Sequence, residues 1–283
     1  MDATPPRTAS RAAGSGLVLA ILLGLSGLSG CARPAADPFA GAVIVDLSHA
    51  FGDDTIFWPT ETEGFVLEPV FHGRTEGGWW YEANRFRTAE HGGTHLDAPV
   101  HFGEGGHAVD AIPVAQLAGP AVRVDVSAAC AADPDHALTV AELAAFEAVH
   151  GRIPDGALVL IYTGWSRFWP DRARYLGTEE RGPAATAALR FPGVSAGAAR
   201  WLAEQRRVRA VGIDTASIDP GVSTRFEAHQ ALAAAGVPGL ENLTGLDRLP
   251  ARGFSVVALP MKIRGGSGAP LRAIAIVPAP DTR

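Results

Sequence analysis

Short apolar stretches, each too short to be a helix, recur along this chain and limit its fold more than any other feature. VIVDLS (43–48), VRVDV (122–126), ALVLIYT (157–163), VRAVGID (208–214), FSVVAL (254–259) and LRAIAIV (271–277) read as strands. Several are nearly unbroken, whereas a strand with one wet face would alternate, so these need cover on both sides. Helices can supply it. Thr139 and Glu142 have the spacing of a capping box, opening a helix that stops near Gly151. Residues 196–206 (AGAARWLAEQR) read as a second helix, capped by Ser195. Thr224 with Glu227 opens a third, ending at Gly236 with Pro238 just beyond. Strand and helix alternate from 157 to 235, which predicts an α/β fold with at least one crossover unit. No repeat or low-complexity tract interrupts 41–283, so a single domain is expected there.

The first forty residues are of another kind and are set aside from the fold. Arg7 and Arg11 precede an apolar core, GLVLAILLGLSGL (16–28), shorter than the ~20 residues of a comfortable bilayer span. It ends in Leu28-Ser29-Gly30-Cys31, which resembles the lipobox of bacterial lipoproteins. That resemblance implies a signal peptide over 1–30, cleavage before Cys31, and acyl chains on the cysteine. An ordinary signal peptide cut nearby is the alternative. Ala32 follows the cysteine where an aspartate would retain the protein at the inner membrane, so by analogy an exported, outer-membrane lipoprotein facing the periplasm is expected. Residues 32–40 (ARPAADPFA) read as a flexible tether. Only Cys130 then remains in the mature chain, which excludes an intramolecular disulfide; its setting, SAACAAD, reads as that of a small buried apolar residue.

Hydrophobic residues make up 47% of the chain and charged ones 19%, enough to bury a sizeable core. A net charge of -6 without any Lys/Arg run argues against a nucleic-acid partner. Of nine histidines, three fall within HGGTHLDAPVHF (91–102), together with an aspartate. His91, His95, Asp97 and His101 would share one face of an extended strand. A straight strand would nevertheless hold His91 about 20 Å from Asp97, whereas ligands of one ion sit only about 2.0–2.2 Å from it. A helix fails as well, because Gly92, Gly93 and Pro99 are poor helix residues and Asp97 would point away from His91 and His95. If the cluster holds a metal, the chain must bend, and the glycine pair is the place.

HGGTHLDAPVHF resembles the H-x-G-T-H-x-D-x-P-x-H motif of the cyclase-like metal-dependent hydrolases, a family that includes bacterial kynurenine formamidase and isatin hydrolase. The similarity runs on in order through LIYTGW (160–165), GIDTASIDPG (212–221), EAHQALAAAGVPGLENLTGLDRLP (227–250) and ALPMKIRGGSGAPLRAIAIV (258–277). It implies a single α/β domain with a mixed β-sheet and flanking helices. It also implies a metal site of His91, His95 and Asp97, completed by His229 and Glu241, with His101 as the catalytic proton-transfer residue. Three imidazoles and two carboxylates suit Zn²⁺ or Mn²⁺, one ion or two. Trp58 matches a substrate-packing tryptophan of the formamidase branch; Phe102, Trp79 and Trp80 could add aromatic wall, or the last two could be core.

The implied reaction is hydrolysis of a C–N amide bond of a small aryl amide by metal-activated water, with a histidine acid/base. The substrate is either N-formylkynurenine or an isatin-like cyclic amide. The insert between 165 and 200 and the run GGWWYEANRF (77–86) make the chain longer than a compact formamidase. An exported enzyme also sits poorly with cytoplasmic tryptophan catabolism, and both points favour the isatin side. A homo-oligomer is expected.

Two other readings compete. GVSAG (193–197) fits G-x-S-x-G, and Asp214, Asp219 and His229 follow in the order of a serine hydrolase. A helix cap explains Ser195 more simply, and Phe191-Pro192-Gly193 does not read as the strand an elbow requires. The other is a non-catalytic metal-binding lipoprotein, which has no use for His101. GGSG (265–268) is followed by a strand rather than a helix and reads as a hairpin turn, not a phosphate loop.

Overall fold

Each of the six apolar runs is a strand in the computed structural model, which describes residues 39–279. They are β1 (Val43–Asp46), β5 (Ala118–Asp125), β7 (Leu158–Tyr162), β9 (Ala210–Ile213), β11 (Phe254–Pro260) and β12 (Gly268–Val277). Two three-residue strands join them, β4 (His95–Asp97) and β10 (Gly239–Glu241). The order is β1-β12-β11-β5-β7-β9-β10-β4, and the long β12 also pairs with β4, so the sheet closes on itself into a barrel-like form. Neighbours from β5 to β10 run parallel and the others antiparallel, which makes the sheet mixed. The predicted signal peptide, Cys31 and the tether up to residue 38 lie outside the described residues.

β7 shows why the runs are unbroken. Leu158 and Leu160 pack into one cluster with Val45, Leu96 and Leu240, while Val159 and Ile161 pack into another with Leu143, Leu202 and Leu232. Alternate residues face opposite sides, and both sides are dry. Each such side chain contributes about 1.5–3 kcal/mol on burial. The Val159/Ile161 side is covered by α2 (Val140–His150), α4 (Ala196–Gln205) and α5 (Glu227–Ala234), and the Leu158/Leu160 side by other strands of the closed sheet; α1 (Ser127–Ala132) and α3 (Arg172–Leu176) are short.

The Thr139–Glu142 capping box is formed in both directions, and α2 stops at Gly151 with φ 81°. Ser195 caps α4, its Oγ accepting from the Ala198 amide at 3.2 Å. The expected Thr224 cap is absent. The residue before α5 is Phe226, in the left-handed region at φ 51°. Asp219 does the capping instead, accepting from the Ala228 and His229 amides at 3.0 Å each. The GGSG turn connects β11 to β12 as expected, with Gly265 at φ 72°.

β2 (Val66–Arg74) and β3 (Trp80–Arg87) form a separate antiparallel hairpin, which the apolar runs did not announce. Trp79 and Trp80 are 63% and 57% exposed on it, so they do not belong to the core. The last pair, β6 (Ala137–Leu138) with β8 (Gly193–Val194), corrects the reading that no strand precedes Ser195. Cys130 is buried, and burial pushes its thiol up to about 12. No helix among the described residues is long and apolar enough to cross a membrane.

Candidate active site

One strand pairing brings the two halves of the histidine and carboxylate set together. β4 and β10 run antiparallel with His95 opposite Glu241, Leu96 opposite Leu240 and Asp97 opposite Gly239. His95, Asp97 and Glu241 therefore share a face, while the leucines point into the core. The bend required of the glycine pair is present. Gly93 has φ 54°, and a Cβ on Gly92 would lie 2.1 Å from the Phe57 ring. His91 precedes this bend and folds back, so its Nδ1 lies 2.7 Å from Asp97 Oδ1. His101 ends a 3₁₀ turn begun by Pro99 and stacks on His91 with ring centres 3.9 Å apart. The period-two face thus applies to His95 and Asp97 alone.

Asp97 is the hub. Its Oδ1 also lies 3.2 Å from His95 Nε2, and its Oδ2 lies 3.2 Å from His229 Nε2 and 4.0 Å from His101 Nε2. Glu241 closes the ring, with Oε2 3.5 Å from His95 Nε2 and Oε1 3.0 Å from His229 Nε2. The distal nitrogens are spoken for. His95 Nδ1 donates to the Gly93 carbonyl at 2.9 Å, and His229 Nδ1 meets Asp219 at 2.6 Å. Both Nε2 atoms are thereby turned inward. Asp219 has a double role, capping α5 and orienting the histidine on its first turn.

Burial alone would lower the His95 pKa, but its hydrogen bond to Asp97 and the charges of Asp97 and Glu241 outweigh that and raise it to about 9. His229 is likewise raised, against burial, by Asp219, Asp97 and Glu241. Asp97 is held well below the carboxylate range by His229, His91 and His95 despite its burial. His101 goes the other way. Burial first, with a smaller push from the neighbouring histidines, lowers it to about 4 against the opposing charge of Asp97, so its ring is neutral at pH 7. Two buried carboxylates whose ion-pair partners are all imidazoles suit a cation. Either a His91/Asp97/His101 set or a His95/Asp97/Glu241 set brings its donor atoms close enough to hold a metal ion. The donor set fits Zn²⁺ or Mn²⁺.

The cluster opens into a cavity of about 360 Å³. Trp58, Phe102 and Phe226 form its aromatic side, with Phe102 and Phe226 ring centres 5.3 Å apart. Phe226 and Glu61 were missed in the sequence; the one marks the left-handed step into α5 and the other follows the Trp58 turn, and neither carries a motif. Asp219 had a readable signal, as an acid ten residues before a histidine at a helix start. Ser195 does not line this cavity and its hydroxyl is committed to the cap.

Imidazoles and carboxylates converging in an open, aromatic-walled pocket on a closed mixed sheet define the class of metal-site hydrolases. The chain belongs to the Cyclase family, whose profile matches residues 45–220. It is 36% identical over 197 residues to isatin hydrolase of Roseibium aggregatum, covering 67% of this chain and 72% of that one. Kynurenine formamidase of Salinibacter ruber is 32% identical over 243 residues, covering 84% of this chain and 99% of its own. The solved structure of isatin hydrolase A from Ralstonia solanacearum matches with TM-score 0.75 at 35% identity, covering 84% of this chain and 93% of that one. The chain is accordingly a hydrolase of C–N bonds other than peptide bonds.

Proposed function

We propose that the chain is a metal-dependent amidohydrolase that opens small neutral aryl amides, with isatin-like lactams as its substrate class. The observation that carries this is the cavity wall. Among the described residues no lysine or arginine lines it, Trp58, Phe102 and Phe226 give it an aromatic wall beside the donors, and the charge outside the donor set is the acidic Glu61. N-Formylkynurenine is an amino-acid zwitterion: its α-ammonium could pair with Glu61, but its α-carboxylate would find no lysine or arginine among the described lining residues. A planar neutral lactam needs only the aromatic wall of Trp58 and Phe102 and a group to polarise its carbonyl. The relative named isatin hydrolase supports the same side.

His91, His95, Asp97, His229 and Glu241 would hold Zn²⁺ or Mn²⁺, as one ion or two. When bound, such an ion supplies Lewis-acid chemistry, acidifying water and polarising a carbonyl. His101, neutral and beside the cluster, takes a proton as water oxygen bonds to the amide carbon, and returns it to the nitrogen as the C–N bond breaks. Phe102 packs on both His101 and His229, with ring centres 4.5 Å away in each case, and so holds the substrate side of both rings. Metal-reconstituted protein assayed against isatin and N-formylkynurenine side by side tests the proposal. A kcat/KM at least about tenfold higher for isatin, equal to about 1.4 kcal/mol, is expected. Preference for N-formylkynurenine would overturn it.

We also propose export and anchoring through acylated Cys31. Each buried methylene contributes about 0.8 kcal/mol, so several acyl chains hold a protein where one would not. Cys31→Ser should therefore leave the detergent-requiring fraction; native protein recovered without a lipid mass increment would refute the anchor. A homo-oligomer fits the aromatic hairpin, whose exposed Trp79, Trp80 and Phe86 offer an apolar contact surface.

A further inference from the structure

The GGSG turn has more to do than reverse the chain. Its Ser267 Oγ lies 3.0 Å from His91 Nε2 and donates to Glu90 Oε2 at 2.7 Å, and the Ser267 amide donates to the same Glu90 oxygen at 2.9 Å. A hydroxyl has one proton. With that proton donated to the Glu90 carboxylate, the oxygen can only accept from His91, so Nε2 carries the single hydrogen of the neutral ring that metal ligation requires. Nδ1 is then the lone-pair nitrogen, and it is the one turned toward Asp97 at 2.7 Å. A lone pair and a carboxylate oxygen at that separation repel unless a positive charge lies between them.

The turn's glycines are what let this arrangement close. A Cβ on Gly268 would lie 2.4 Å from His91 Cε1, and one on Gly266 would lie 2.8 Å from Glu90 Oε1. The turn is itself pinned, because the Ala98 amide donates to the Ser267 carbonyl and the Val109 amide to the Gly266 carbonyl, both at 2.9 Å. The hydroxyl is therefore presented by fixed backbone rather than by a mobile loop.

We propose that Glu90 and Ser267 are positioning residues that lock His91 in the tautomer presenting Nδ1 as a metal donor. This rests on the metal reading of His91. Partners of this kind behind a ligand histidine usually account for 10–100-fold in metal affinity. The test is competition for Zn²⁺ against a chromogenic chelator, using purified full-length variants. Ser267→Ala is expected to bind roughly 10–100-fold more weakly, and Ser267→Thr, which keeps the hydroxyl, to recover most of the loss. Glu90→Gln should weaken binding in the same direction, since an amide can donate to the hydroxyl and free its proton to point at Nε2. His91→Ala should cost at least as much as Ser267→Ala, and adding Ser267→Ala to it should cost nothing more, because the serine acts only through the histidine. Parental affinity in Ser267→Ala alongside weakened His91→Ala would overturn the relay while sparing the metal site. Parental affinity in His91→Ala would overturn the relay by removing the ligand beneath it. Additive losses in the double variant, or no recovery with threonine, would also overturn it.

Discussion

Asp97→Ala is expected to yield protein that retains neither metal nor measurable hydrolysis, with kcat/KM down by more than about 10⁴-fold, beyond what an acid–base group supplies. The expectation follows from the hub geometry. One carboxylate reaches His91 at 2.7 Å, His95 and His229 at 3.2 Å and His101 at 4.0 Å, and both possible donor sets include it. No side chain stands across the ladder from it, because the residue opposite on β10 is Gly239. Asp97→Asn, which keeps the shape but removes the charge, guards against a failure that is merely structural. Metal analysis and kinetics on both variants check the point. Full metal content in either would mean that the carboxylate organises the histidines without holding an ion.

His101→Ala should behave differently, keeping its metal while losing about 10²–10⁴-fold in rate, the range usual for a general acid–base residue. Geometry permits the contrary, since His101 lies near enough to His91 and Asp97 to join a donor set. Its environment argues for proton transfer. It is the most exposed of the four clustered rings, and it lines the cavity beside the aromatic wall. Metal content of the variant decides. Metal-free protein would make His101 a ligand and leave the proton-transfer role unassigned.

What could be read from the chain depended on how locally each feature is encoded. The six core strands were legible because two-sided burial leaves an unbroken apolar run. β4 and β10 were not, since three residues are too few to show a period. The need for a bend at Gly92-Gly93 followed from reach alone. His229 and Glu241 lie more than a hundred residues from His95; the β4–β10 register brings in Glu241 and α5 brings in His229, so resemblance was required to name them. The third helix was placed correctly but its cap was not. Thr224 has the right spacing, yet Asp219, fixed by the tertiary fold, takes the amides instead. The β2–β3 hairpin escaped because its aromatics face outward, where no core selects a pattern.

The most direct test of metal dependence is isatin turnover by one protein sample measured before chelation, after chelation, and after addition of Zn²⁺ or Mn²⁺. Activity should vanish with the chelator and return with one of the two ions, and Ser195→Ala should follow the same course. Turnover indifferent to the chelator, or abolished by Ser195→Ala, would contradict a reaction carried by the His/Asp/Glu cluster.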